Sequence, residues 1–183
     1  MKKSPFKLMF AAVLMLLTVS TQAQDDKAKR VSPPAEATNT TSDGVKVTIE
    51  YSSPNVKGRE IWGPLVEYNK VWRTGANEAT TFEVSKDVTI DGHKLSKGRY
   101  ALFTIIPKEG NEITVILNKE ANQWGAFKYK ESEDALRFKV KSTKAADVQE
   151  ALKFEVEKSG KIDFAWEKLR FSFNVKAVNV AGM

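Results

Sequence analysis

The stretch KVWRTGANEATTFEV, residues 70–84, holds the densest set of side chains able to do chemistry. Arg73 offers a planar fork of donors, Glu78 a carboxylate, and Asn77 both donors and acceptors. Between the strand-like Val71-Trp72 and Thr80–Val84, the segment RTGANEA is small and polar, a loop by composition. Two uses fit. As a rim of polar groups beside an aromatic wall, the loop suits a sugar or a carboxylate ligand. As a clasp, Arg73 pairs with Glu78, Asn77 caps its own turn, and the loop is merely fixed in place.

Upstream, in YSSPNVKGREIWGPLVEYNKVW, Lys57, Arg59, Trp62, Tyr68 and Trp72 are interspersed with Gly58 and Gly63. Trp and Tyr present an apolar body with a polar tip, suited to stacking on a ligand ring. The same residues serve equally as core. Trp124, in NQWGAFKY, joins the candidate surface. Other chemistries find less support. A Ser-His-Asp arrangement must use His93, the only histidine, which sits at a turn, and no Ser has a Gly-x-Ser-x-Gly setting. A zinc site lacks its His and Cys ligands. Glu131, Glu133 and Asp134 (ESED) lack the Asp-x-Asp-x-Asp spacing of a calcium loop and read as a solvated acidic turn. Neither a metal nor a cofactor is expected. Glu78 is the best candidate for one of the two carboxylates of a glycosidase, and no partner stands out.

These residues must be held by strands. Val45, Val47, Ile49 and Tyr51 alternate with Lys46, Thr48 and Glu50, and the same two-residue period recurs at Phe82–Val84, Leu136–Val140, Leu152–Val156, Ile162–Trp166 and Leu169–Val175. Such alternation means one buried and one wet face. YALFTII (Tyr100–Ile106) and ITVIL (Ile113–Leu117) are apolar almost throughout and predict central strands covered on both sides. Asp91-Gly92, Lys97-Gly98, Glu109-Gly110-Asn111 and Ser159-Gly160 mark turns. The pattern predicts one all-β domain from residue 44 to 178, an antiparallel β-sandwich or distorted barrel. Only Pro54–Val66 and Asp147–Ala151 leave room for short helical turns.

The first 23 residues read as a signal peptide: Lys2, Lys3 and Lys7, the apolar run LMFAAVLMLL, and a cleavage site after Ala23. That run is short of the roughly 20 residues that span a bilayer. Export to the periplasm or outer envelope is expected, with no transmembrane segment after cleavage. With no cysteine, the domain must be held by burial alone. Residues 24–43 are polar, lack aromatics and read as a linker into the first strand, free to lie against the fold in its later part. Removing the three leader lysines from the 29 basic residues leaves 26 against 23 acidic, a net of +3. The lysines are scattered, so nucleic-acid binding is not expected.

The string from Tyr51 to Pro107, continued through ITVILNK, QWGAFKY and WEKLRFSF, resembles the bacterial domain-of-unknown-function (DUF) family 2911. The resemblance covers roughly Arg30 to Val175. It implies an exported protein with a β-rich domain and no assigned activity, so it supplies no mechanism. Its motifs fall on Ser32-Pro33, on Pro54 with Lys57, Gly58 and Arg59, on Lys70 to Thr80, and on Trp124-Gly125. Glu67 and Asn69 stand where the family often has Pro and Gly, and a helical C-terminal region of some members is not expected after Met183.

The sequence therefore points to a non-catalytic binding module for a glycan, peptide or envelope component. Arg59, Trp62, Tyr68, Trp72, Arg73, Asn77, Glu78 and Trp124 are its candidate ligand-binding residues. A hydrolase using Glu78, with a pKa raised by burial, and a purely structural envelope protein are the alternatives.

Overall fold

A computed structural model describes Lys27 and residues 29–178; the expected leader and its cleavage site lie outside the described residues. Ten strands follow in order: β1 (Pro34–Thr40), β2 (Lys46–Ser52), β3 (Val71–Trp72), β4 (Thr81–Val84), β5 (Val88–Ile90), β6 (His93–Leu95), β7 (Gly98–Ile105), β8 (Glu112–Asn118), β9 (Asp134–Val156) and β10 (Lys161–Ala177). A 3-10 turn at Glu131–Glu133 precedes β9. Every pairing is antiparallel, and the spatial order is β1-β2-β4-β7-β8-β9-β10-β5-β6, with β3 against β7. The two ends of this path, β1 and β6, do not pair, so the sheet is an open β-sandwich rather than a barrel.

The sandwich is made by one bent ribbon. β10 holds 17 residues, which laid straight would carry its ends roughly 50 Å apart. Yet the Val175 N–H donates to the carbonyl of Gly160, just before the strand begins, at 2.8 Å. The bend lies at Glu167, whose φ is +51, and the register with β9 shifts on both sides of it. Ile162, Phe164 and Trp166 face the core before the bend; Phe171, Phe173 and Val175 face it afterwards. The extra residue moves the inward parity from even to odd and keeps both arms buried on the same side. β9 therefore borders β8 with its first part and β10 with the rest, and the ribbon folds over as a second layer. The aromatic rings of Tyr51, Phe154, Phe164 and Phe171 pack in sequence across the interior.

The runs expected to be covered on both faces are so. Leu102, Ile113, Val115 and Leu117 lie in the main core, while Ala101, Phe103 and Ile116 lie under a second apolar cluster with Ala126 and Tyr129. That second cover is the loop between β8 and β9, the loop that carries Trp124. At Asp91-Gly92 the chain turns β5 into β6 with both φ values positive, as the hairpin signal requires.

Three expectations change. Asp147–Ala151 forms no helical turn; it lies inside β9, which joins the two separately expected strands into one. Within the expected linker, Pro34–Thr40 forms edge strand β1, paired along its length with β2. Its side chains hide this, because only Ala37 is buried and the strand is held by backbone bonds. Pro54–Val66 is irregular, with bridges Asn55 to Ala151 and Trp62 to Val66 in place of a helix. Asn69, where Gly was the expected family residue, takes φ +59, so the turn keeps a glycine-like conformation.

Candidate functional site

The Arg73–Glu78 loop is a ridge between two clefts. Its backbone is fixed from below: Gly75 lies so close to Ser52 and Thr80 that a Cβ there would meet Thr80 Oγ1 at 2.9 Å and the Ser52 carbonyl at 3.1 Å. From above, the chain before β1 crosses it. Asn77 Nδ2 donates to the Ser32 carbonyl (3.2 Å), and Arg30 Nη1 donates to Glu78 Oε2 (2.7 Å). Asn77 thus anchors the crossing segment rather than capping its own turn; its φ of +57 suits Asn better than most side chains.

Glu78 and Trp124 are brought side by side. The Ala79 N–H donates to the Gln123 carbonyl (2.9 Å) and the Gly125 N–H to the Asn77 carbonyl (3.0 Å), a short antiparallel bridge. The loop bearing Trp124 is itself pinned. Buried Asn118 donates to the Lys130 carbonyl and to Asp134 Oδ1, both at 2.9 Å, and accepts from the Glu120 N–H. Tyr129 donates to Asp134 Oδ2 at 2.9 Å and accepts from Arg137 Nη2 at 2.6 Å. Asp134 therefore works as a loop anchor, and Glu131 is exposed; no cluster of three metal-ligating side chains occurs among the described residues.

Burial and the Asp134 acceptor push the Tyr129 hydroxyl up to about 12. A raised folded value stabilises the fold fully below the ordinary Tyr range, and that contribution is lost as pH rises through about 12. In an absorbance titration, one tyrosine is expected to ionise at about pH 12, and Asp134→Asn to bring it down. A titration curve that Asp134→Asn leaves unchanged would contradict this anchoring.

The larger cleft, about 740 Å³, is lined by Glu78, Trp124, Gln123, Asn122, Glu50 and Arg99 among others. Trp124 is 53% exposed, with Arg30 over its ring at 5.8 Å. Phe127, on the same loop, is also exposed. Charges here neutralise one another: Glu78 with Arg30 and Lys27, Glu50 with Arg99. Burial alone would raise the Glu78 pKa, but the hydrogen bond from Arg30 and the charges of Arg30 and Lys27 hold it below the ordinary Glu value. A general acid needs the opposite shift.

The smaller cleft, about 320 Å³, lies on the other side of the ridge and is lined by Arg59, Lys57, Arg73, Trp72 and Trp166. Trp72 stacks on Trp166 (5.7 Å, 19°), and Trp62 meets both edge-on at 6.0 and 5.7 Å. Trp62 is tied down by a 3.2 Å bond from its Nε1 to Glu167 Oε2. Tyr68 packs its ring against Gly63. Three of the candidate aromatics are thus core or its margin, and only Trp124 is openly presented. Arg73 does not pair with Glu78. It has no ion pair among the described residues, its Nε is buried without a partner, and desolvation pulls its pKa below the ordinary Arg value.

The eight candidates therefore do not form one surface. Glu78 and Trp124 belong to the larger cleft, Arg59, Trp72 and Arg73 to the smaller, Asn77 sits in the ridge between, and Trp62 and Tyr68 support the wall. Arg30, Gln123, Glu50, Arg99 and Trp166 were not legible as site residues. Arg30 sits 48 residues from Glu78 in a polar segment without periodicity. Trp166 reads as a core position in an alternating strand, and it is.

The described residues form an open antiparallel β-sandwich in which two surface clefts flank a conformationally fixed polar loop. The chain belongs to the family described as "Protein of unknown function (DUF2911)", whose model matches residues 32–175. Comparisons with curated proteins and with solved structures each gave no match. Among the described residues no helix is long and apolar enough to cross a membrane.

Proposed function

We propose that the protein is a non-catalytic binding module of the bacterial envelope, exported by cleavage after Ala23, and that it holds a glycan in the larger cleft. The supporting observation is Trp124: a largely exposed indole fixed by backbone bonds beside Glu78 in a cleft of about 740 Å³. An exposed Trp face stacks on a sugar ring, and rigid mounting lowers the ordering cost of binding. The paired carboxylates and guanidinium groups, with Asn122 and Gln123, supply donors and acceptors in balance, which suits hydroxyl groups better than a net charge. Gln123 Oε1 is buried without a partner, an acceptor still to be satisfied.

A glycan and peptide array probed with the mature chain is expected to find a glycan ligand. Trp124→Ala should abolish its capture while leaving the melting temperature unchanged within about 2 °C, since exposed substitutions cost within about 0.5 kcal/mol. Arrays that stay blank, including with envelope extracts, would refute the binding reading. Recovery of the native product with Met1 still attached would refute export.

A further inference from the structure

We propose that the smaller cleft is a second, separate site, for an oxyanion carried on a small organic skeleton. Among the described residues, Lys57, Arg59 and Arg73 line this cleft and no Asp or Glu does. Two nearby carboxylates are already hydrogen-bonded: Glu150 Oε1 accepts the Lys57 backbone N–H at the cleft's edge at 2.8 Å, and Glu167 accepts from Trp62 and from the Lys168 N–H. The larger cleft, by contrast, is lined by Glu36, Glu50 and Glu78 among its cations.

Buried N–H groups in folded proteins are almost always hydrogen-bonded. Among the described residues, three buried side-chain polar atoms lack a partner, and two of them, Arg73 Nε and Trp166 Nε1, belong to residues lining this one cleft. Trp166 is 1% exposed, and its Nε1 has no hydrogen-bond partner among the described residues. Arg73 is a half-buried cation with no ion pair among the described residues, an arrangement that costs stability unless a ligand supplies the charge. Arg59 is held in place by bonds from its Nε to the Val56 carbonyl (3.1 Å) and from Nη2 to the Asn55 carbonyl, which leaves Nη1 to donate. A guanidinium fork matches a carboxylate or phosphate in two parallel bonds.

Volume and wall composition limit the ligand. About 320 Å³ is at the lower end of small-molecule sites and accommodates about one sugar ring or a similar skeleton. Trp72, Trp166, Leu65 and Val66 give it an apolar side. The shared chemistry is an oxyanion on a compact carbon frame; a uronic acid and a sugar phosphate are its two sources.

Calorimetric titration at constant ionic strength with sodium glucuronate, glucose 6-phosphate and glucose separates the outcomes. Binding of glucuronate or of glucose 6-phosphate, with glucose silent, is the expected result, and which of the two binds identifies the source. Arg73→Gln should weaken that binding at least tenfold, whereas Trp124→Ala should leave it unchanged, which separates this site from the glycan cleft. The unliganded Arg73→Gln protein should melt no lower than the wild type, because an unpaired half-buried charge has been removed. Should that variant fail to fold, the double variant Lys57→Gln, Arg59→Gln, at exposed positions, is expected to weaken binding severalfold. The proposal is overturned if neither anion binds up to about 100 mM, if glucose binds equally, or if the variants bind as wild type does.

Discussion

Gly160→Ala is expected to lower the melting temperature by about 10 °C, the largest effect of a methyl group added at any glycine among the described residues. A Cβ at Gly160 would lie 2.1 Å from the Val175 carbonyl oxygen, and the residue has φ +88. That oxygen belongs to backbone and cannot swing aside. The contact is also the one that closes the bent ribbon, where the Gly160 carbonyl receives the Val175 N–H. Relief therefore requires the hairpin tip and the end of β10 to separate, opening the sandwich beside Thr41 and Ser42, whose backbone N–H bonds to the Lys158 carbonyl. A cost of about 4 kcal/mol is reasonable for such a forced backbone shift, equivalent to roughly 8–16 °C at this chain length. Gly110→Ala is the control. Its φ is +84, nearly the same, but no atom lies within 4 Å of the added carbon. It should lose only the conformational part, about 1–2 kcal/mol. Equal losses at the two sites, measured by thermal melting, would mean that the Gly160–Val175 approach does not hold the layers together.

Trp166→Ala is expected to cost about 3–5 kcal/mol, the range for truncating a buried large aromatic. Trp166 stacks on Trp72 and receives the edge of Trp62, and it stands one residue before the bend at Glu167. Its loss would leave a void at the elbow of the ribbon, under the smaller cleft. Trp166→Phe should cost less, because it keeps part of the ring contact and removes a buried N–H that has no partner. Urea unfolding of these variants beside Trp124→Ala checks the division of the tryptophans. A Trp124→Ala loss as large as that of Trp166→Ala would show that the exposed indole is structural.

The strands were legible because burial imposes a period on side chains, and the central pair β7 and β8 because two covers leave no polar phase. The bend was legible in principle: Ile162, Phe164 and Trp166 are even, Phe171, Phe173 and Val175 odd, and a change of parity demands an inserted residue. Edge strand β1 left little trace, because PAEATNT is bound through its backbone and buries one alanine. Residues 142–149 left none, since their side chains are largely exposed and carry no apolar period. The site was legible in its residue types and not in its pairings. Arg73 and Glu78 are neighbours in the chain, and an ion pair between them was the natural clasp. The fold instead lays Arg30 across the loop to meet Glu78, while Arg73 lines the smaller cleft and reaches Gly125 with its Nη1. Such partnerships come from tertiary approach, which local spacing does not encode.

The account turns on the four tryptophans having two different roles. Their indole N–H signals, resolved by ¹⁵N nuclear magnetic resonance, can be followed while envelope glycan fragments and then glucuronate or glucose 6-phosphate are added. The expected result is that a neutral glycan shifts Trp124 and leaves Trp62, Trp72 and Trp166 in place, and that the anion shifts Trp166 without Trp124. If every added ligand leaves the Trp124 signal unmoved, or moves all four together, the two-cleft account is wrong.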